Sequence, residues 1–508
     1  MEVDIKIFEV NNVYFKIECE RSIEKELSEY FTFFVPGFQF TPAFRSKKWD
    51  GKIRLFDTRN CQIYAGLLSY IKIFCEERGF TYKLITTKTK EKTSIEELVK
   101  FVDLLNVTSR GKKIEVRDYQ IEAFQKAINN TRGLFISPTA SGKSLIIYMI
   151  IRYLLDVKKC KKGLVIVPTT SLVEQLTSDF VDYSYDNGFE VSEIVHRIYQ
   201  GKDKVSETSK LYVSTWQSIY NMPKEYFEQF DFVIGDEAHL FKAQSLTKIM
   251  TQCINTQYRV GLTGTLDGTK THKLVLEGLF GDASKVITTR ELMDRKQVAD
   301  FKIKCIILKY DDDICKYMKK KTYQEEIEYI VLNEKRNKFI KNLSVSLTGN
   351  TLILYQYVDK HGKILYDIIS KEVSDSNRKV FFVYGKTETE IREDIRKIAE
   401  GEKDAIIIAS YGTFSTGINI RNLHNIVFAS PSKSRIRNLQ SIGRSLRLGE
   451  NKTQSILYDI ADDLRCDDYM NHTLKHFIER TKIYNEEKFS YKLHKIGLKN
   501  GNNQHSTS

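Results

Sequence analysis

Apolar residues follow two rhythms along this chain. The first is strict alternation. Val3, Ile5 and Ile7 share one face and Val13, Phe15 and Ile17 another, which predicts two half-buried strands. Helical spacing near Ile23, Leu27 and Phe31 follows. The second rhythm is short unbroken apolar runs separated by helical stretches. Residues 134–137, 164–168, 211–215, 232–234 and 259–263 form one series, and residues 351–357, 380–384, 405–410, 425–429 and 455–460 a second. A run that is apolar on both faces and bounded by helices predicts a buried parallel strand, so each series predicts a parallel α/β sheet. A last helical stretch with Met470, Leu474, Phe477 and Ile478 on one face is expected to end the fold, and the polar residues 500–508 to be a disordered tail.

At 508 residues the chain is too long for one core. The pattern divides it into a small α+β domain at 1–85, a charged connector around one short helix at 86–115, and α/β domains at 116–300 and 301–465. A C-terminal helix and tail occupy 466–508. Hydrophobic residues make up 41% of the chain, enough for packed cores and too many for a disordered scaffold. The net charge of +13 favours a polyanionic partner, nucleic acid before membrane. The eight cysteines form no C-x-x-C pair and none clusters with histidine, which argues against structural zinc and for a reducing compartment. No secretory signal pattern opens the chain. The most apolar stretch, 145–155, is too short to span a bilayer and contains Arg152. The expectation is an intracellular protein that is neither secreted nor membrane-bound.

One segment concentrates the charge. FRSKKWDGKIRLFDTRN (44–60) sets Arg45, Lys47, Lys48, Lys52, Arg54 and Arg59 against only Asp50 and Asp57, with Phe44, Trp49 and Phe56 interleaved. Cations for phosphates beside aromatics for stacking make Arg45, Lys47, Lys48, Trp49, Lys52 and Arg54 candidate nucleic-acid contacts. A hairpin with core aromatics and solvated charges fits the same residues.

The octapeptide SPTASGKS (137–144) follows the apolar run Leu134, Phe135, Ile136 and opens an apolar helix. A strand, a small-residue turn and Gly-Lys-Ser at a helix start form a phosphate cradle. Its backbone N–H groups, from Thr139, Ala140, Ser141 and Gly142 onward, would face the phosphates of ATP. Lys143 would reach the β/γ oxygens, and the Ser144 hydroxyl would ligate Mg²⁺. Ser137 stands where the usual motif has its first glycine. Asp236-Glu237-Ala238-His239 follows a second apolar strand. Asp236 there would hold the same ion, and Glu237 would orient and deprotonate an attacking water.

Seven further motifs, read in order, resemble those of the superfamily-2 helicases and translocases. VRDYQ (116–120) is similar to the Q-motif, in which Gln120 would read the adenine edge. VPTTSLVEQ (167–175) and STWQS (214–218) resemble strand-end motifs that grip a nucleic-acid backbone, through Thr169, Thr170, Thr215 and Gln217. Thr263-Gly264-Thr265 resembles the element that couples the two sites, here with His239, Thr263 and Thr265 in coupling roles. ILYQY (353–357), SYGTFSTGINI (410–420) and QSIGRSLR (440–447) resemble motifs of the second domain. In these the resemblance assigns Thr413 to nucleic acid and Gly417 and Asn419 to the nucleotide. It assigns Gln440, Arg444 and Arg447 to catalysis, the arginines as guanidinium fingers that reach across a closing cleft. Asn419 departs from the family's frequent aspartate, and His239 completes DEAH without the rest of the DEAH-box RNA helicase pattern.

The resemblance implies two tandem RecA-like domains of the P-loop NTPase class, with ATP and Mg²⁺ as cofactors. WDGKIRLFD (49–57), KTYQEEI (321–327), ASYGTFSTGI (409–418) and KFSY (488–491) lie partly outside the shared engine and are similar to phage recombination DNA helicases. That similarity implies unwinding of branched DNA (Holliday junctions, D-loops, R-loops, stalled forks) with 3′-to-5′ polarity. It also implies single-stranded and branched duplex DNA as partners, RNA–DNA hybrids among the substrates, a monomer, recombination and single-strand-binding proteins nearby, and the host cytoplasm as location. An RNA helicase, the motor subunit of a restriction nuclease and a non-hydrolysing scaffold remain as alternatives.

Overall fold

A computed structural model describes residues 3–86, 92–417, 420, 422–432, 434, 439, 441–443, 446 and 452–498. The chain divides into two compact units, one of Met1–Ser137 and Ser141–Ile287, the other of Pro138–Ala140 and Thr288–Ser508.

The first unit opens with a five-stranded mixed sheet in the order Phe56–Asp57, Gln62–Tyr64, Tyr14–Cys19, Ile5–Glu9, Tyr82–Ile85. Alternation decides its burial. Ile5, Ile7, Phe15 and Ile17 turn inward onto Ile23 and Leu27 of helix Arg21–Tyr30 and onto Ile71 and Phe74 of helix Leu68–Arg78. A separate two-stranded ribbon pairs Thr32–Phe34 with Lys52–Arg54.

A seven-stranded parallel sheet follows, in the order Val195–Ile198, Leu211–Thr215, Gly163–Val167, Phe232–Asp236, Tyr258–Thr263, Arg132–Ile136, Ala283–Lys285. The five predicted runs are its centre, and the two unpredicted strands are its edges. Edge strands need less apolar surface, so VHRI and ASK carry too weak a pattern to read. The helix expected within the connector is Ile95–Leu105, opened by a capping box of Ser94 and Glu97. Its Leu98, Val102 and Leu105 are buried in one cluster with Phe124, Ile128 and Tyr153, so it packs as part of this domain's core.

The second unit holds another seven-stranded sheet, in the order Val380–Val383, Ile406–Ser410, Thr351–Tyr355, Asn425–Phe428, Gln454–Asp463, Asp300–Lys309, Tyr491–Gly497. Here the sequence reading needs correction. Helix His472–Glu486 does not end the fold, because strand Tyr491–Gly497 follows it and pairs in parallel with Asp300–Lys309. That strand is mostly exposed and is held by backbone hydrogen bonds, which leave no apolar trace. The helix buries Leu474, Phe477, Ile483, Tyr484 and, unexpectedly, Arg480, while Ile478 lies outward. The Arg480 guanidinium donates to both Asp459 oxygens at 2.9 and 2.7 Å and to the Ser432 carbonyl, and Tyr484 donates to Asp459 at 2.8 Å. Arg336 repeats the device, donating to Asp462 at 2.7 and 3.1 Å and to the Ala429 carbonyl. The cost of burying these guanidinium groups is offset by their carboxylate partners and hydrogen bonds. Among the described residues no helix is long and apolar enough to cross a membrane.

Candidate active site

Strand order brings the site together. Strand Tyr258–Thr263 lies between the strand that leads into 137–144 and the strand that carries Asp236, so three motif-bearing strand ends are neighbours. In open parallel sheets ligands bind at such carboxyl ends.

The 137–144 loop leaves strand Arg132–Ile136 and enters helix Lys143–Asp156. Two residues take left-handed conformations, Ala140 at φ 69° and Gly142 at φ 83°. Ser137 does what a glycine could not: its buried hydroxyl lies 2.5 Å from that of Ser141 and ties the two ends of the turn together. Behind the loop, Gln120 accepts from the Arg117 N–H at 2.9 Å and donates to the Ser141 carbonyl at 2.9 Å. Tyr119 donates to the same carbonyl at 3.1 Å and accepts from the Arg117 guanidinium at 2.7 Å. In this arrangement Gln120 braces the loop. A Cβ at Gly142 would meet the end of the Gln120 side chain, and its φ of 83° is the left-handed conformation that favours glycine.

Lys143 starts the helix, and its ammonium lies 3.9 Å from Glu237 Oε1. Glu237 itself is left-handed at φ 50°, and its N–H donates to Asp236 Oδ1 at 2.9 Å. The other Glu237 oxygen lies 3.3 Å from His239 Nδ1, which is 2.9 Å from Thr263 Oγ1. Thr263 in turn donates to the Thr265 carbonyl at 3.0 Å. A continuous polar line therefore runs from the carboxylate pair to the 263–265 segment. Burial, and then the adjacent Glu237 charge, push the Asp236 carboxyl up to about 6.

Ser144 and Asp236 supply hard oxygen donors. The elevated Asp236 marks a desolvated, electron-rich pocket whose charge a divalent cation would offset, so these residues fit Mg²⁺. The Ser144 hydroxyl is 2.9 Å from the Tyr183 hydroxyl. Tyr183 went unnoticed in the sequence because 39 residues separate the pair and no spacing rule links them. Arg117 and Tyr119 lie inside VRDYQ, so only their bracing role was unread.

The backbone-gripping candidates gather on two adjacent strands, since Val167 pairs with Thr215. Thr169 caps helix Thr170–Tyr183 by accepting from the Leu172 N–H at 3.4 Å, and Thr170 is exposed beside it. Thr215 is buried with its hydroxyl 2.9 Å from that of Ser218, and exposed Gln217 donates to the Pro168 carbonyl at 3.5 Å. In the second unit Thr413 is buried, its hydroxyl 2.7 Å from that of Ser410. Gly417 ends helix Tyr411–Gly417. Asn419, Gln440, Arg444 and Arg447 lie outside the described residues.

The 44–60 segment combines both readings left open for it. Phe56 is core, 2% exposed, and is no stacking surface. Trp49 is half-buried, and its indole N–H donates to the Lys52 carbonyl at 2.9 Å. Arg54 pairs with Asp50, holding that carboxyl below its usual range, so much of its charge is answered locally. The Lys52 ammonium lies 4.9 Å from the centre of the Phe34 ring. Arg45, Lys47 and Lys48 are exposed.

Three family models match the chain: "DNA helicase UvsW, N-terminal" over residues 4–85, "Type III restriction enzyme, res subunit" over 113–268, and "Helicase conserved C-terminal domain" over 334–449. The ATP-dependent DNA helicase uvsW of Enterobacteria phage T4 is 36% identical over 510 aligned residues, covering 98% of this chain and 100% of the relative. The crystal structure of T4 UvsW superposes with a TM-score of 0.52 at 34% identity, covering 97% of this chain and 100% of that one. The DNA 3′-5′ translocase XPB2 of Sulfurisphaera tokodaii is 25% identical over 405 residues, covering 73% of this chain and 87% of that protein. The type ISP restriction-modification enzyme LlaBIII, at 16% identity and a TM-score of 0.57, shares the fold over 86% of this chain and 36% of its own.

Proposed function

The chain belongs to the UvsW family of superfamily-2 ATP-dependent DNA helicases, and from that premise we propose that it unwinds and branch-migrates branched DNA: Holliday junctions, D-loops, R-loops and stalled forks. The observation that carries this reading is how the N-terminal domain is fastened to the first motor domain. Gly66 packs directly on the backbone of Glu277 and Gly278, and Tyr64 covers Gly278. Tyr70 donates to Glu277 at 2.7 Å, Ser69 to Asp282 at 2.5 Å, and Arg132 to the Asn12 carbonyl at 2.9 Å. A motor alone needs only phosphate contacts to move along a strand. A second basic surface carried rigidly on that motor supports the holding of duplex at a branch.

In this reading the Thr139–Ser144 loop cradles the phosphates of ATP, and Lys143 reaches the β/γ oxygens. Mg²⁺, held by Ser144 and Asp236, would supply neutralisation of phosphate charge. Glu237 takes the proton of the attacking water. His239, Thr263 and Thr265 carry the state of the carboxylate pair toward the nucleic-acid side. Thr169, Thr170, Thr215, Gln217 and Thr413 grip the backbone, which favours weak sequence preference and steep salt dependence. Gln120, Gly417, Asn419, Gln440, Arg444 and Arg447 keep their roles on sequence resemblance.

The test is ATP-dependent unwinding of a four-way junction, a fork and an RNA–DNA hybrid, with Glu237→Gln as control. Junction and fork should open and the variant should fail. ATPase stimulation by single-stranded RNA above that by forked DNA would mark an RNA helicase instead.

A further inference from the structure

The N-terminal domain carries an aromatic cluster that the core does not use. After strand Thr32–Phe34 the chain makes a 3₁₀ turn at Phe38–Phe40 and a short helical turn at Pro42–Arg45. Phe40 is 75% exposed and Phe34 54%. This is a braced structure. The Val35 N–H donates to the Gly51 carbonyl at 2.8 Å, the Phe40 N–H to that of Gly37 at 3.0 Å, and the Thr41 hydroxyl to that of Phe38 at 2.8 Å. Phe38 stacks on Phe34 with ring centres 4.9 Å apart and meets Phe44 edge-on at 4.7 Å. A Cβ on Gly51 would overlap the Phe38 ring, so that ring rests on bare backbone. Phe38 is the anchor and Phe40 is the ring presented.

Cations follow it closely in the chain. The Arg45 Nε donates to the Gln39 carbonyl at 3.4 Å, which sets the guanidinium against the turn, and Lys47 and Lys48 are exposed just beyond. The turn is also tied to the motor. Thr271 donates to the Phe34 carbonyl at 3.3 Å, and the Lys270 ammonium lies 5.7 Å from the Phe33 ring centre. Both residues open helix Lys270–Phe280, a few positions after the 263–265 coupling segment.

We propose that Phe40, flanked by Arg45, Lys47 and Lys48, is a wedge that stacks on the terminal base pair of the duplex at a DNA junction. The proposal rests on the branched-DNA reading above and deepens it. A base pair offers a flat π-face bordered by phosphates, and an exposed phenyl ring with exposed cations on the adjoining turn is its chemical complement. The excess of positive charge over the whole chain disfavours a basic protein as occupant. Because the turn is fastened to the first motor domain, translocation would drive the ring into the fork.

The test uses the full chain and a forked duplex with 2-aminopurine in the terminal pair, read at equilibrium without ATP. Wild-type binding should raise the fluorescence as the pair unstacks, and Phe40→Ala should abolish that rise. Base pairs opened per ATP hydrolysed should fall about tenfold in Phe40→Ala, the scale of one lost base–aromatic stack. Phe40→Trp should restore both signals. The ring is mostly outside the core, so the melting temperature should not move. If Phe40→Ala opens forks as efficiently as wild type, or leaves the 2-aminopurine signal intact, the wedge is overturned. A wild-type chain that opens no fork overturns the branched-DNA reading, and the wedge with it.

Discussion

Gly66→Ala tests the fastening of the N-terminal domain to the motor. The added Cβ would lie 2.6 Å from the Gly278 carbonyl oxygen and 2.9 Å from its carbon, and closer still to the Glu277 carbonyl. Ordinary carbon–oxygen contacts lie near ~3.3–3.6 Å, so backbone on one side must move by more than half an ångström. All three atoms belong to helix Lys270–Phe280 and cannot swing aside as a side chain would. Overpacking of this kind costs about 1–3 kcal/mol. Separation also strains the Tyr70–Glu277 hydrogen bond, a charge-assisted contact worth about 1.5–3 kcal/mol. At 1.4 kcal/mol per decade, the population with the domain detached should rise at least about fivefold. Hydrogen exchange across helix Leu68–Arg78 should accelerate accordingly. Fork unwinding should drop while ATPase stimulated by single-stranded DNA holds, because Gly66 touches no part of the nucleotide site. Gly79→Ala is the matched control. Its φ is +71° and nothing lies within 4 Å of its Cβ, so it strains the same domain by about 1 kcal/mol without touching the motor. If Gly66→Ala exchanges and unwinds like wild type, or if Gly79→Ala matches it, the fastening argument is wrong.

Three further outcomes follow from the geometry. Arg480→Met should destabilise the second unit by about 3–5 kcal/mol, because Asp459 is left buried and unpaired, and adding Asp459→Leu should recover most of the loss in chemical denaturation. Asp236 holds a proton in the folded state up to about pH 6, whereas the unfolded chain releases it near its ordinary 3.8. Its contribution therefore falls as pH rises through that window and is level above it, so the melting temperature of Asp236→Asn minus that of wild type, without nucleotide, should grow from pH 4 to 6 and then plateau. Thr263→Val removes the hydroxyl between His239 and the Thr265 carbonyl, and the ratio of DNA-stimulated to basal ATPase should fall about tenfold, the scale of one buried polar group left unpaired.

What was readable in the amino-acid order was what is local or fully buried. Most central strands could be read because a strand covered on both faces must be apolar throughout; Asp300–Lys309, paired on both sides in the second sheet, escaped because its first half alternates polar with apolar residues. The 137–144 turn and the Asp236–Glu237 pair could be placed after apolar strands because each is contiguous with its strand in sequence. Tertiary structure alone decided the rest. Edge strands such as Tyr491–Gly497 are held by backbone hydrogen bonds that any side chains permit. Arg480 entered the core because Asp459 met it there, 21 residues away in sequence. The 44–60 pattern could not say which aromatic is core and which is surface, since a phenyl ring serves either. Burial sent Phe56 inward, and a braced turn before the segment left Phe40 in solvent. Contacts between residues far apart in sequence depend on where the backbone carries them, and only the assembled fold determines that.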